Sequence, residues 1–173
     1  MSTRAEPGSG TRTLTAVDFS VGIDERWFED YAPGSVYEYG YVNVVREEML
    51  AFASQFDPQP IHLDAAFAEL GPFGGLIASG WYTACVFMRL FADHYLSRVA
   101  SLASPGVDEL RWPAPLRAGD QVRLRTTILA ARPSRSKPDR GVVRTRGELI
   151  NQDGRIVLNL VAVNLLRRRI TDP

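Results

Sequence analysis

An aspartate and a histidine stand five residues apart in the stretch FASQFDPQPIHLD, residues 52–64, with two prolines between Asp57 and His62. On a continuous helix that spacing would set the pair on roughly opposite faces. Pro58 disfavours helical geometry at Asp57, and Pro60 fixes its own φ. The stretch is therefore read as an extended turn that holds both side chains at a reproducible separation. A carboxylate and an imidazole facing one small space can hold a water molecule between them. One partner takes a proton from it and the other delivers a proton elsewhere, which is general acid–base catalysis. An imidazole titrates near neutrality and serves in either direction. The residues also fit a plain structural role, because Asp before Pro is a common turn residue.

A second stretch, PFGGLIASGW (residues 72–81), puts glycines and Ser79 ahead of an apolar run. Ser79 suits the N-cap of a helix that begins at Gly80. The first N–H groups of a helix lack partners and sit at its positive end. The Gly80 N–H could polarise a carbonyl that gains negative charge, as in an oxyanion hole. A flexible loop with an ordinary N-cap is the alternative.

The elements that must position these residues follow from pattern. Residues 35–45 are rich in β-formers after the turn pair Pro33-Gly34 and read as a strand. Residues 47–56 place Met49, Leu50, Ala53 and Phe56 at helical spacing. Asp64 is an N-cap for a short helix over 65–70. A long helix is expected from about Gly80 to Val99, apolar on nearly every face in its first turns and so buried. Trp81, Tyr82, Phe87, Phe91 and Cys85 are read as its core-facing residues. Residues 106–112, 121–131, 141–150 and 156–167 then read as strands, in a meander, with an Asp-Gly hairpin signal at Asp153-Gly154. The class is α+β: an antiparallel sheet wrapped around a long central helix, the arrangement called a hot-dog fold.

At 173 residues the chain suits one domain. Residues 1–24 are expected as a flexible tail and 25–173 as a single hot-dog domain. Residues 1–15 lack the apolar segment of a secretory signal. Twenty basic and twenty acidic residues cancel, which argues against a nucleic-acid partner. The uncharged run 70–88 approaches the length of a membrane span, but Gly71, Pro72, Gly74, Gly75 and Gly80 interrupt it. A loop and a buried helix explain it, and no membrane partner is expected. One cysteine and two histidines disfavour disulfide and zinc chemistry, so no metal is expected and a reducing, cytoplasmic location is.

FASQFDPQPIHLD followed by GGLIASGW resembles the MaoC-like hydratase/dehydratase family, whose (R)-specific enoyl-CoA hydratases carry a Gly-Asp-x-Asn-Pro-x-His-x-Asp pattern. Asp57, Pro60, His62 and Asp64 fall on it in register, while Phe56 replaces its Gly and Gln59 its Asn. Gly80 falls on the family's glycine at the start of the hot-dog helix. The resemblance implies a hot-dog homodimer that adds water reversibly to a trans-2-enoyl thioester, giving an (R)-3-hydroxyacyl thioester. Asp57 and His62 would then bind the reacting water and the Gly80 N–H the thioester oxygen. Coenzyme A or an acyl carrier would enter as part of the substrate, with no separate cofactor. Some members support the catalytic Asp with a Ser further along the helix; residues 87–89 offer no hydroxyl, and Thr83 or Tyr82 are the substitutes at hand. Gln59, Ser79 and Trp81 are candidate substrate contacts. Arg135 and Arg140, in a cluster of basic residues from Arg132 to Arg146, are candidates for the phosphates of coenzyme A.

Two other readings stay open. A thioesterase on the same fold could use Asp57, and would release free coenzyme A. A non-catalytic acyl-thioester binder or partner subunit would bind without turnover, and the absent helix hydroxyl and the altered Gln59 favour it.

Overall fold

The structure is a computed structural model and describes residues 12–15 and 18–169. Among the described residues six strands form one antiparallel sheet in the order β1-β2-β4-β5-β6-β3. They are β1 (Arg12–Thr13), β2 (Val36–Asn43), β3 (Ser101–Arg111), β4 (Gln121–Pro133), β5 (Arg140–Ile150) and β6 (Ile156–Arg167). Between β2 and β3 lie α1 (Arg46–Phe56), α2 (Pro60–Leu63), α3 (Ala65–Glu69) and α4 (Gly80–Leu90). The fold is the expected hot-dog. β4, β5 and β6 make the meander, whereas β3 crosses to the far edge and pairs with β6.

Alternation in β4 shows why the sheet has one core face. Val122, Leu124, Thr126 and Ile128 are buried, while Arg123 and Arg125 on the other face bond Glu38 of β2 at 3.2 and 2.6 Å. The inner face packs on α4, whose Tyr82, Val86, Phe87 and Leu90 are buried. Close approach needs Gly147 of β5, because a Cβ there would collide with the Phe87 ring.

Three expectations are corrected. The long helix does not reach Val99: α4 passes into a π-helical turn, Phe91–Tyr95, and stops at Leu96. Its last carbonyls are captured from outside, His94 O and Tyr95 O by the Arg26 guanidinium at 3.0 and 2.7 Å, and Tyr95 O also by the Tyr31 hydroxyl at 2.9 Å. A cation at a helix C-terminus is favourable, and these bonds replace another turn. Second, residues 57–62 are not extended throughout. Pro60 opens α2, because its fixed φ suits the first helical position and its missing N–H is not needed there.

The third concerns the segment expected as a tail. Residues 1–11, 16 and 17 lie outside the described residues, and the rest of 1–24 is packed rather than loose. Arg12 and Thr13 pair with Gly40 and Tyr39, and Asp18 accepts from Thr13 Oγ1 and the Tyr39 hydroxyl at 2.7 and 3.0 Å. Phe19 stacks on Tyr37 at 4.3 Å beneath the Arg26 guanidinium. Among the described residues no helix is long and apolar enough to cross a membrane.

Candidate active site

Asp57 is where α1 ends. Its φ of −149° and ψ of 65° leave the helix, as Pro58 demands, while its N–H still closes the last turn on Ala53 O at 2.9 Å. α2 then brings His62 back toward it. His62 is buried, and its Nε2 stands 3.3 Å from Asp57 Oδ2. Its Nδ1 lies 3.0 Å from Ile77 O. A carbonyl only accepts, so Nδ1 carries a hydrogen. The neutral ring therefore presents an Nε2 lone pair to the site, and the protonated ring an N–H.

The carboxylate is held by two donors. Gln59 Nε2 donates to Oδ1 and Ser79 Oγ to Oδ2, each at 2.6 Å. Ser79 is the N-cap of α4 and fully buried, and its Oγ accepts from Trp81 N–H at 3.2 Å. That leaves its own hydrogen for Asp57. The Gln59 and Ser79 bonds hold the Asp57 carboxyl below the usual carboxylate range.

This arrangement answers the missing helix hydroxyl. Thr83 and Tyr82 do not substitute: Thr83 Oγ1 donates to Ser79 O at 3.1 Å, and the Tyr82 hydroxyl, its pKa raised by burial, is acted on by the Glu48 carboxylate, which raises it further. The support comes instead from Ser79, expected as a substrate contact and found engaged on both sides. Gln59, whose replacement of Asn put the hydrogen bonding in question, bonds the carboxylate directly.

Gly80 is the first residue of α4, and among the described residues nothing accepts from its N–H. The Trp112 indole covers its Cα side. An added Cβ would stand 2.7 Å from Trp112 Cε2, and Trp112 Nε1 donates to Gly80 O at 2.8 Å. His62, Gly80, Thr83, Ile77 and Trp112 line one cavity of about 210 Å³. Gly80 and His62 thus border the same cavity. The loop before α4 is fixed by Arg117, whose guanidinium donates to Leu76 O at 3.0 Å and to Phe73 O.

Trp81 and Cys85, read as core residues, are exposed; Trp81, also a candidate substrate contact, meets Trp112 edge-on at 5.6 Å. Tyr82, Phe87 and Phe91 are buried. Arg135 and Arg140 are not brought to the pair within the chain. Arg140 faces Arg167 at one end of β6, while Arg111, next to Trp112, faces Asn159 eight residues away, roughly 26 Å along the strand. Arg140 is also held by Asp139 through two bonds of 2.8 Å. Ser79 carried a signal as an N-cap, but its reach to Asp57 had none, and neither did the Trp112 cover nor the Arg117 brace.

A family model described as MaoC like domain matches residues 30–149. The chain is 35% identical over 91 residues to 3-hydroxyacyl-thioester dehydratase Z of Mycobacterium tuberculosis, a match that spans 51% of this chain and 60% of that relative. The crystal structure of a MaoC-like dehydratase from Rhodospirillum rubrum superposes with a TM-score of 0.79 at 39% identity, covering 84% of this chain and 99% of that one. A Mycobacterium tuberculosis protein with a double hot-dog fold matches in fold at 19% identity and a TM-score of 0.73, over 88% of this chain and 48% of that one.

Proposed function

The chain belongs to the MaoC-like domain family, and on that premise we propose that it hydrates trans-2-enoyl-CoA thioesters reversibly to (R)-3-hydroxyacyl-CoA. The observation that carries this reading is the Asp57–His62 pair beside the free N–H of Gly80. Asp57, kept ionised by Gln59 and Ser79, accepts one hydrogen of the reacting water and orients it. The neutral His62 ring takes the other proton on Nε2, and the hydroxyl forms the new bond to C3. Electron density moves from the alkene to the thioester oxygen, where the Gly80 N–H and the helix N-terminus stabilise it. His62 Nε2–H then gives its proton to C2, which closes the balance of one water added across the double bond. Dehydration runs the same steps backwards.

A homodimer belongs to this reading. The β3 edge carries Val107, and α4 exposes Trp81, Cys85 and Met88 at i, i+4 and i+7, an apolar stripe that a second copy would cover. The dehydratase name of the Mycobacterium relative supports the reaction class. The test is turnover of an enoyl-CoA panel, followed by loss of the conjugated-thioester absorbance and by the configuration of the product. Release of free coenzyme A without a hydroxyacyl product would select a thioesterase, and binding without either product a non-catalytic subunit.

A further inference from the structure

A second cavity, of about 340 Å³, lies along the same face of α4 as the first. Gly80 and Thr83 line the first; Ala84, Phe87 and Phe91 continue that face by helical steps and line the second. Its opposite wall comes from β3 and β6, including Asn164; Met88 and Val107, on the surface proposed above for a second copy, form its outer rim, which that copy would close. Gly80 and Phe87–Phe91 are separated along α4 by about 10–16 Å at 1.5 Å per residue. The wall is mostly apolar, and among the described residues none of its side chains is charged. Ser101, Ser104 and Asn164 are its polar residues, and Asn164 is the buried one. It is 5% exposed, and its Nδ2 has no acceptor among the described residues. The Ser104 hydroxyl, also in the wall, is already committed to Val163 O at 2.6 Å. A buried amide donor without an acceptor is costly, so a ligand that supplies one is favoured by more than its apolar contacts.

We propose that this cavity receives the distal part of the acyl chain, and that Asn164 selects chains bearing a neutral oxygen there, as a hydroxyl, ether or keto group, over plain hydrocarbon. The inference rests on the enoyl-thioester reading above. A carboxylate is disfavoured, because it would enter without a counter-charge. Asn164 thus acts on specificity and not on the reacting atoms.

The experiment measures binding of saturated medium-chain acyl-CoAs by calorimetry, with one methylene beyond C5 replaced in turn by an ether oxygen. Saturated chains need no turnover. The native protein should bind one ether position roughly tenfold more tightly than the all-carbon chain, the scale of a single buried hydrogen bond. In Asn164→Leu, and in the smaller Asn164→Ala should the leucine disturb folding, that preference should vanish or invert. An all-carbon chain bound as tightly as every ether analogue overturns the proposal. So does an ether preference that survives both substitutions, or no binding of either series. Turnover of the enoyl-CoA panel by the native protein is read separately: its absence across the panel sinks the hydratase reading, whereas its presence with no ether preference sinks only the role of Asn164.

Discussion

At the scale of residues, Asp57 and His62 form a unit around one oxygen, Asp57 Oδ2, which faces both the imidazole and Ser79. Removing either partner should cost about 10²-fold or more in kcat, the usual scale of acid–base catalysis. Asp57→Asn combined with His62→Ala should be hardly worse than either change alone, since groups acting together on one water are not additive. Single mutants that stay folded and hydrate near the native rate would remove the pair from the mechanism. Ser79→Ala makes a sharper case. It deletes a donor that lowers the Asp57 carboxyl, so the acid limb of the kcat/KM profile should move to higher pH. Loss of the N-cap should also cost about 1 kcal/mol. A mere capping role would lower stability and leave the profile in place; Ser79→Thr, which keeps the hydroxyl, should restore both. The lowered carboxyl also ties stability to acid. Its contribution is full above the ordinary aspartate value of about 3.9 and is lost as pH falls through the lower folded value.

At the scale of elements, two glycines set how closely chains approach. Gly80 lets Trp112 lie against the start of α4, so Gly80→Ala must push the indole away and open the cavity beside His62. The expected outcome is a loss of kcat together with a changed tryptophan emission. Unchanged emission with normal activity would show that Trp112 is not the cover it forms here. Gly147 lets Phe87 seat α4 on β5. Gly147→Ala should destabilise by roughly 1–3 kcal/mol as an overpacked core site, and Phe87→Leu should recover part of that. Urea denaturation midpoints of the two singles and the double measure the coupling. Equal losses that simply add would mean that the two residues do not contend for the same space.

At the scale of the whole molecule, the charged and apolar surfaces are separated. Glu38, Arg123 and Arg125 knit the outer face of the sheet, while the β3 edge and the stripe Trp81, Cys85 and Met88 lie bare in a single chain. Unpaired strand edges with apolar neighbours invite a second copy. Pairing through a two-fold axis would cover the same surface on both chains. Sedimentation at micromolar concentration should therefore give a dimer, and Val107→Lys, with a charge placed on the edge, should shift it toward monomer. A monomer in the native protein, or a dimer indifferent to Val107→Lys, would move the interface elsewhere or abolish it.

The hot-dog class and the meeting of Asp57 with His62 were legible in the sequence because both are written locally. Strand alternation, the Asp153-Gly154 turn, the Asp64 cap and the proline-spaced Asp57 and His62 depend on neighbours a few residues away. β6 was placed to the residue, and α1 and α3 to within one residue at either end. What the sequence did not reveal are contacts between distant segments. Ser79 reaches Asp57 across 22 positions, Trp112 reaches Gly80 across 32, and Arg26 ends the central helix across 68 and 69. Arg135 and Arg140 looked like substrate anchors from their charge alone, and the β5–β6 register sets Arg140 at the far end of the sheet from the pair. Type and spacing name the groups that can do the chemistry. Which hydroxyl holds the carboxylate, and how far the arginines stand from the pair, depends on pairings made only when the sheet closes around α4.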